Sequence, residues 1–245
     1  MGRYLISRVL QFIPVFFGAT FLLFALVFLM PGDPIRALSG DKPLAPGVVE
    51  ALNERYHLDE PFYKQYAIYI TNVAQGDFGT DFRGRPVTDI MKQRLPVTIQ
   101  LALLAFGFEV LIGLTAGVVA GVRKGKFFDS LVLVSTLVVI AIPIFVLGFV
   151  AQIVFGVKLG WFPISGYREG IQSLLLPALV LASLSLAYVA RLSRTSVVEN
   201  LRADYVRTAR AKGLSTKRVI GIHTLRNSLI PVVTYLAVDL GALMG

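Results

Sequence analysis

VTIQLALLAFGFEVLIGLTAGVVAGV, residues 97–122, carries one ionisable side chain, Glu109, in an otherwise apolar run. At about 1.5 Å per residue, a helix of this length exceeds the ~30 Å hydrocarbon core of a bilayer. Four further runs have the same character: Val9–Met30, Ser130–Phe155, Leu174–Ala190 and Leu229–Met244. Together they raise the apolar fraction to 55% and hold charged residues to 16%, against about 45–50% and 25% in soluble domains. If all five were buried core helices, too little polar chain would remain to enclose them. The implied fold class is all-α: a polytopic membrane protein with five transmembrane helices in a single domain spanning residues 1–245. Arg3 and Arg8 precede the first run, as in a signal peptide, but the run is longer than the ~7–15 apolar residues of such a leader. It reads as an uncleaved span.

The charge lies in particular loops. Lysines and arginines outnumber acids 24 to 15, for a net charge of +9. Arg3 and Arg8 flank the first span, Arg123, Lys124 and Lys126 fill the turn after the second, and nine basic residues crowd 191–227. The turn after the third span holds only Lys158, Arg168 and Glu169. Because basic loops stay in the cytoplasm, this alternation predicts a cytoplasmic N-terminus, an outer loop over 31–96 and a cytoplasmic loop over 191–227. In the outer loop, Val49, Leu52 and Tyr56, and then Phe62, Tyr66, Tyr69 and Val73, recur at helical spacing. They predict two small amphipathic helices, the second started by Pro61. Acidic partners are expected for so basic a chain, in the form of membrane lipid or protein rather than nucleic acid. The absence of cysteine leaves the redox compartment open.

Three features within the spans bear on function. Gly113, Gly117 and Gly121 repeat every four residues, a ladder of small residues that admits a second helix at close range. Glu109 lies one turn earlier on the same face, and Asp239 is the acid of the last span. An ionisable group in a span marks either a translocation path or a hydrogen-bonded helix contact, and both readings stand for these two residues. Pro143 predicts a kink in the third span.

The loop over 191–227 contains ADYVRTARAKGLSTKRV, residues 203–219. Val197, Leu201, Tyr205 and Ala209 fall at intervals of four, giving one helix a small apolar stripe flanked by Arg202, Asp204, Arg207, Arg210 and Lys212. Gly213 ends this helix, and Ser215 or Thr216 caps the next. A basic helix on anionic lipid, a plain structural turn and a docking element for a soluble partner all fit the pattern.

This stretch resembles the EAA signature in the cytoplasmic loop of binding-protein-dependent ABC importer permeases, in the peptide and nickel branch. Ala209 and Gly213 stand at the alanine and glycine of that signature, while Arg207 and Thr208 replace its Glu and Ala, as is usual in the peptide branch. FLMPGDPIRALSG, YHLDEPFYKQY, GDFGTDFRGRPV, RLPVTIQLALLA, IPIFVLGF, LGWFPISGY, LLLPALVLA and RNSLIPVVTYLAVDLGALMG extend the likeness along the chain in order. It is greatest to the B-type permease of dipeptide and oligopeptide importers. The resemblance implies a non-catalytic subunit of the bacterial inner membrane that pairs with a homologous second permease. It implies two ATPase subunits, which carry ATP and Mg, and an extracytoplasmic substrate-binding protein. It places ATPase coupling on Leu201, Ala203, Asp204, Tyr205, Arg207, Thr208, Ala209, Lys212 and Gly213, with the apolar stripe turned to the ATPase. It also implies a sixth span beyond Gly245. No cofactor is expected on this chain: G-x-x-x-x-G-K-[ST] is absent, and no His or Cys cluster suggests metal handling. Peptide is therefore the expected cargo, with nickel or another small solute as the alternative. An ion-coupled secondary transporter is a more distant reading, since internal repeats and discontinuous spans would mark it.

Overall fold

A computed structural model describes residues 2–28, 46–81 and 84–245. Its backbone divides into two compact units, residues 1–93 and 94–245. Among the described residues the regular structure is helical, apart from an isolated antiparallel bridge between Thr80 and Pro86.

The first unit contains α1 (Gly2–Phe28), α2 (Pro46–Tyr56), α3 (Phe62–Ala74) and the start of α4 (Val87–Val122). α3 begins directly after Pro61, whose fixed φ suits a helix start and whose missing N–H costs nothing there. α1 packs on α3 through aromatic rings. Phe21 lies 5.2 Å from Tyr66 and Phe24 lies 5.3 Å from Phe62, centroid to centroid. The Tyr66 hydroxyl adds a bond to the Phe17 carbonyl at 3.1 Å. Of the predicted outer loop, residues 31–45 lie outside the described residues.

The second unit holds the rest of α4, then α5 (Phe127–Ala141), α6 (Ile144–Lys158), α7 (Gln172–Asn200), α8 (Asp204–Ala211) and α9 (Thr216–Met244). Helices α1, α4, α7 and α9 are each long and apolar enough to cross a membrane, and the bent pair α5–α6 makes a fifth span if counted as one. α7 is the most buried of them and packs against α4, α5, α6 and α9.

Several boundaries differ from those expected of the sequence. The second span begins at Val87, ten residues before the expected Val97, and runs through Pro96. A proline removes only one helical hydrogen bond, which a long helix tolerates. The third span is broken rather than kinked: α5 and α6 meet at 103° across Ile142–Pro143. The fourth continues to Asn200, past the expected Ala190, and the last starts at Thr216 rather than Leu229. The charge pattern predicts a loop over 191–227, yet much of that segment extends these two helices.

Close approach of α4 to α7 organises the second unit. A Cβ built at Gly113 would lie 3.0 Å from the Leu186 carbonyl oxygen. At Gly117 it would lie 2.6 Å from Ser193 Cβ and closer still to the Ala190 carbonyl oxygen. At Gly121 it would lie 2.8 Å from Val197 Cβ. Lipid chains are as apolar as leucine, so helices in a bilayer associate through such packing rather than through hydrophobic exclusion. One ion pair fastens the same face: Arg194 Nη2 of α7 donates to Asp129 Oδ2 of α5 at 2.9 Å, and the Gly125 amide reaches the same oxygen at 2.8 Å.

The contacts rank the three glycines. Gly117→Ala should be the most damaging, because backbone and Ser193 both block the methyl group; Gly121→Ala should follow and Gly113→Ala should be mildest. Overpacking of this kind costs about 1–3 kcal/mol. Thermal unfolding of the purified variants in detergent checks the order, and an equal response at all three positions would contradict it.

Candidate functional site

Two constellations in the second unit bear on function. The first is the basic loop. α7 ends at Asn200, the chain breaks direction over 201–203, and α8 runs from Asp204 to Ala211. Gly213 then takes a left-handed φ of 76°. The Leu214 amide bonds the Ala209 carbonyl at 3.2 Å and the Gly213 amide bonds the Arg210 carbonyl at 2.9 Å. This paired closure is a Schellman stop, which favours glycine at its left-handed position.

The break changes the apolar stripe. The spacing predicts Val197, Leu201, Tyr205 and Ala209 along one helix, but Val197 belongs to α7 and packs on the Gly121 face. Ala209 belongs to α8 and is only 5% exposed, clustered with Val206, Val219 and the partly buried Leu214. Its face is thus turned to its own chain, because α8 folds back onto the first turns of α9. Asp204, Tyr205, Arg207, Thr208, Arg210 and Lys212 are exposed instead. Tyr205 anchors its hydroxyl on Asn200 Oδ1, Thr208 bonds the Asp204 carbonyl at 2.9 Å, and Leu201 and Ala203 are half-buried in the break. The loop is tied to the bundle where the Ser228 hydroxyl of α9, shared with the Thr224 carbonyl of its own helix at 2.9 Å, reaches the Ser196 carbonyl of α7 at 3.3 Å.

The second constellation lies within the spans. Glu109 opens a π-helical turn, Glu109–Leu114, in α4 and is 0% exposed. Such a turn inserts an extra residue, shifts the register of the helix beyond it and recurs at functional sites. Phe106 and Val110, which flank Glu109 on α4, pack with Val189 of α7 and with Val232, Leu236 and Tyr235 of α9, and this packing makes Glu109 a neighbour of Asp239 and Ser185. Asp239 Oδ1 accepts from Ser185 Oγ at 2.9 Å and from the Tyr235 hydroxyl at 3.1 Å. The Tyr235 ring packs at a tilt of 34° against Tyr188 with centroids 4.5 Å apart. Phe106, Val110, Leu114, Val189, Val232 and Leu236 form an apolar cluster on the same three helices, with Tyr235 packed against it.

Sequence pattern alone does not single out Ser185, Tyr188, Tyr235, Asp129 or Arg194. Tyr235 and Asp239 are four apart, so their shared helix face was open to inspection. The partners on other helices had no local signal. Among the described residues, no group of three or more His, Cys, Asp or Glu side chains is placed to hold a metal ion.

Residues 113–245 match the family described as binding-protein-dependent transport system inner membrane component, and residues 1–102 match its N-terminal companion. Three permeases stand among the known proteins to which the chain is similar over its full length. It is 38% identical over 272 residues to a di/tripeptide transport system permease protein of Pseudomonas aeruginosa, covering 81% of that protein. It is 35% identical over 273 residues to a dipeptide transport system permease protein of Alkalihalophilus pseudofirmus, covering 82%. It is 39% identical over 246 residues to a glutathione transport system permease protein of Escherichia coli K12, covering 80%. A multi-pass helical bundle with these relatives along its whole length belongs to the binding-protein-dependent transport system inner membrane component family.

Proposed function

We propose that the chain is the membrane permease of an ATP-driven importer of peptides and forms half of the translocation path beside a homologous second permease. The observation that carries this reading is mechanical. α8 is clamped through Val206 and Ala209 onto Val219, and Val219 lies in the same long helix, Thr216–Met244, as Asp239. A push on the loop therefore enters a membrane-spanning rod directly. The names of the similar permeases, which specify di/tripeptides, dipeptides and glutathione, support peptide over nickel as cargo.

In this reading two ATPase subunits bind ATP and Mg and close against the loop, while an extracytoplasmic binding protein delivers cargo. The chain itself is non-catalytic and sits in the bacterial inner membrane with its N-terminus in the cytoplasm. ATPase coupling runs through the exposed side of α8: Asp204, Tyr205, Arg207, Thr208 and Lys212. Leu201, Ala203, Ala209 and Gly213 shape the loop from within. Glu109 and Asp239 join α4 to the rod and need not line the path.

Buried and exposed positions of α8 should fail differently. Thr208→Trp places bulk on the exposed face. It should leave insertion and melting intact but loosen the ATPase by about 1–3 kcal/mol, roughly five- to 150-fold. Ala209→Glu buries an unpaired charge against Val206 and Val219, a loss of several kcal/mol, and should lower the yield of folded permease itself. Co-purification of the ATPase, alongside melting of the permease, separates the two. Retention of ATPase and normal uptake by Thr208→Trp would mean that the exposed face of α8 is not the docking surface.

Orientation is tested separately. Cysteines introduced at Ser165 and at Ser215 are exposed to an impermeant thiol reagent in cells whose outer barrier is permeabilised. Ser165→Cys should label and Ser215→Cys should not. The reverse pattern would invert the topology.

A further inference from the structure

We propose that Glu109 and Asp239 together bind one proton, held as a carboxylic acid–carboxylate hydrogen bond that clasps α4 to α9. Both carboxyl oxygens of Glu109 and Oδ2 of Asp239 are buried with no hydrogen-bond donor, although buried polar atoms almost always have a partner. The donors that face the pair are both spent on the other Asp239 oxygen: Ser185 from α7 and Tyr235 from α9. The remaining titratable neighbour, Tyr188 of α7, packs at a tilt against Tyr235 and is half exposed. Among the described residues, neither acid is ion-paired with lysine, arginine or histidine.

Two adjacent carboxylates in so apolar a setting cannot both be ionised, since desolvation and mutual repulsion act together. One proton, taken up from water, resolves both problems. It neutralises one acid and creates the missing donor, so that the Glu109 O–H bonds the vacant side of Asp239. Asp239 is the acceptor because it already takes two hydrogen bonds that favour its charge. Glu109 is the acid because the neighbouring Ser185 hydroxyl is given to Asp239 Oδ1, which leaves both Glu109 oxygens without a donor. The site is selective for a proton over larger cations by construction: its oxygens lie inside packed helices, and the missing element is a single hydrogen.

The clasp joins the π-helical turn of α4 to the rod that carries the basic loop. Any state of the transporter that separates α4 from α9 must strip this hydrogen bond and expose two acids to one another or to water. Proton occupancy thus biases the bundle towards the arrangement seen here.

Infrared difference spectroscopy of the purified permease in lipid nanodiscs tests this directly. Wild type at neutral pH should show the carbonyl stretch of a buried carboxylic acid, shifted on transfer to D2O, and Glu109→Gln should lack that band. The amide of Glu109→Gln supplies an N–H donor in place of the O–H, so this variant should melt close to wild type. Glu109→Ala loses donor and volume and should melt lower by about 2–4 °C. No acid band in wild type, or a band that persists unchanged in Glu109→Gln, overturns the proposal. So does a melting temperature that rises with sodium at constant ionic strength, since a metal ion would then occupy the pair.

Discussion

The close approach of α4 to α7 is the contact on which the second unit depends. Three missing side chains, at Gly113, Gly117 and Gly121, let the α4 backbone rest on the carbonyls and β-carbons of Leu186, Ala190, Ser193 and Val197. With no water to drive helices together inside a bilayer, van der Waals contact over such a seam must hold them. The seam also fixes rotation. With the glycines turned to α7, the π-helical turn directs Glu109 into the space where α7 offers Ser185 and α9 offers Asp239. A straight α-helix would place Glu109 one register away, so the seam and the π turn jointly create the carboxyl pair.

The apolar runs were legible because their signal is compositional: five stretches almost without charge leave few alternatives to a membrane bundle. The glycine ladder was legible for the same reason, since its period of four survives without knowledge of the partner. What failed was continuity. Nothing in Leu201-Arg202-Ala203 announces a helix break, as no glycine or proline is present, and a period of four runs undisturbed from Val197 to Ala209. The interruption lets α8 bury Val206 and Ala209 against Val219, a contact with a distant part of the chain that local sequence does not display. Pro143 was visible, but its size as a bend was not. A proline states that a hydrogen bond is lost, while the surrounding packing decides whether the chain kinks or turns by 103°. Pro96 makes the opposite case, since α4 continues through it.

The meeting of Glu109 and Asp239 was illegible for a different reason. Each acid was recognisable as an anomaly within its own span, but their separation along the chain exceeds any helical period. Local pattern therefore left two explanations open for each. The three-dimensional arrangement removes part of that ambiguity. Two lone acids in separate helices would each need a basic partner or water, whereas two acids in contact can satisfy one another.

α9 links these observations. At its loop end it is gripped by α8 through Val219, then tied to α7 where Ser228 reaches the Ser196 carbonyl, and further along it is tied to α7 again where Ser185 bonds Asp239. A rod held at two heights cannot simply slide when its end is pushed. Either both ties yield together or the rod turns about one of them. The Ser228 tie is a single neutral hydrogen bond of modest strength, typically about 1 kcal/mol. At Asp239 the bond that crosses between helices runs from the Ser185 hydroxyl to a charged acceptor, the Tyr235 donor belonging to α9 itself, and bonds to charged groups are roughly twice as strong. The stronger tie lies deeper in the span, so displacement of the basic loop is expected to break the Ser228 contact first and pivot α9 about Asp239. That asymmetry turns a push at one end of the helix into a tilt rather than a translation.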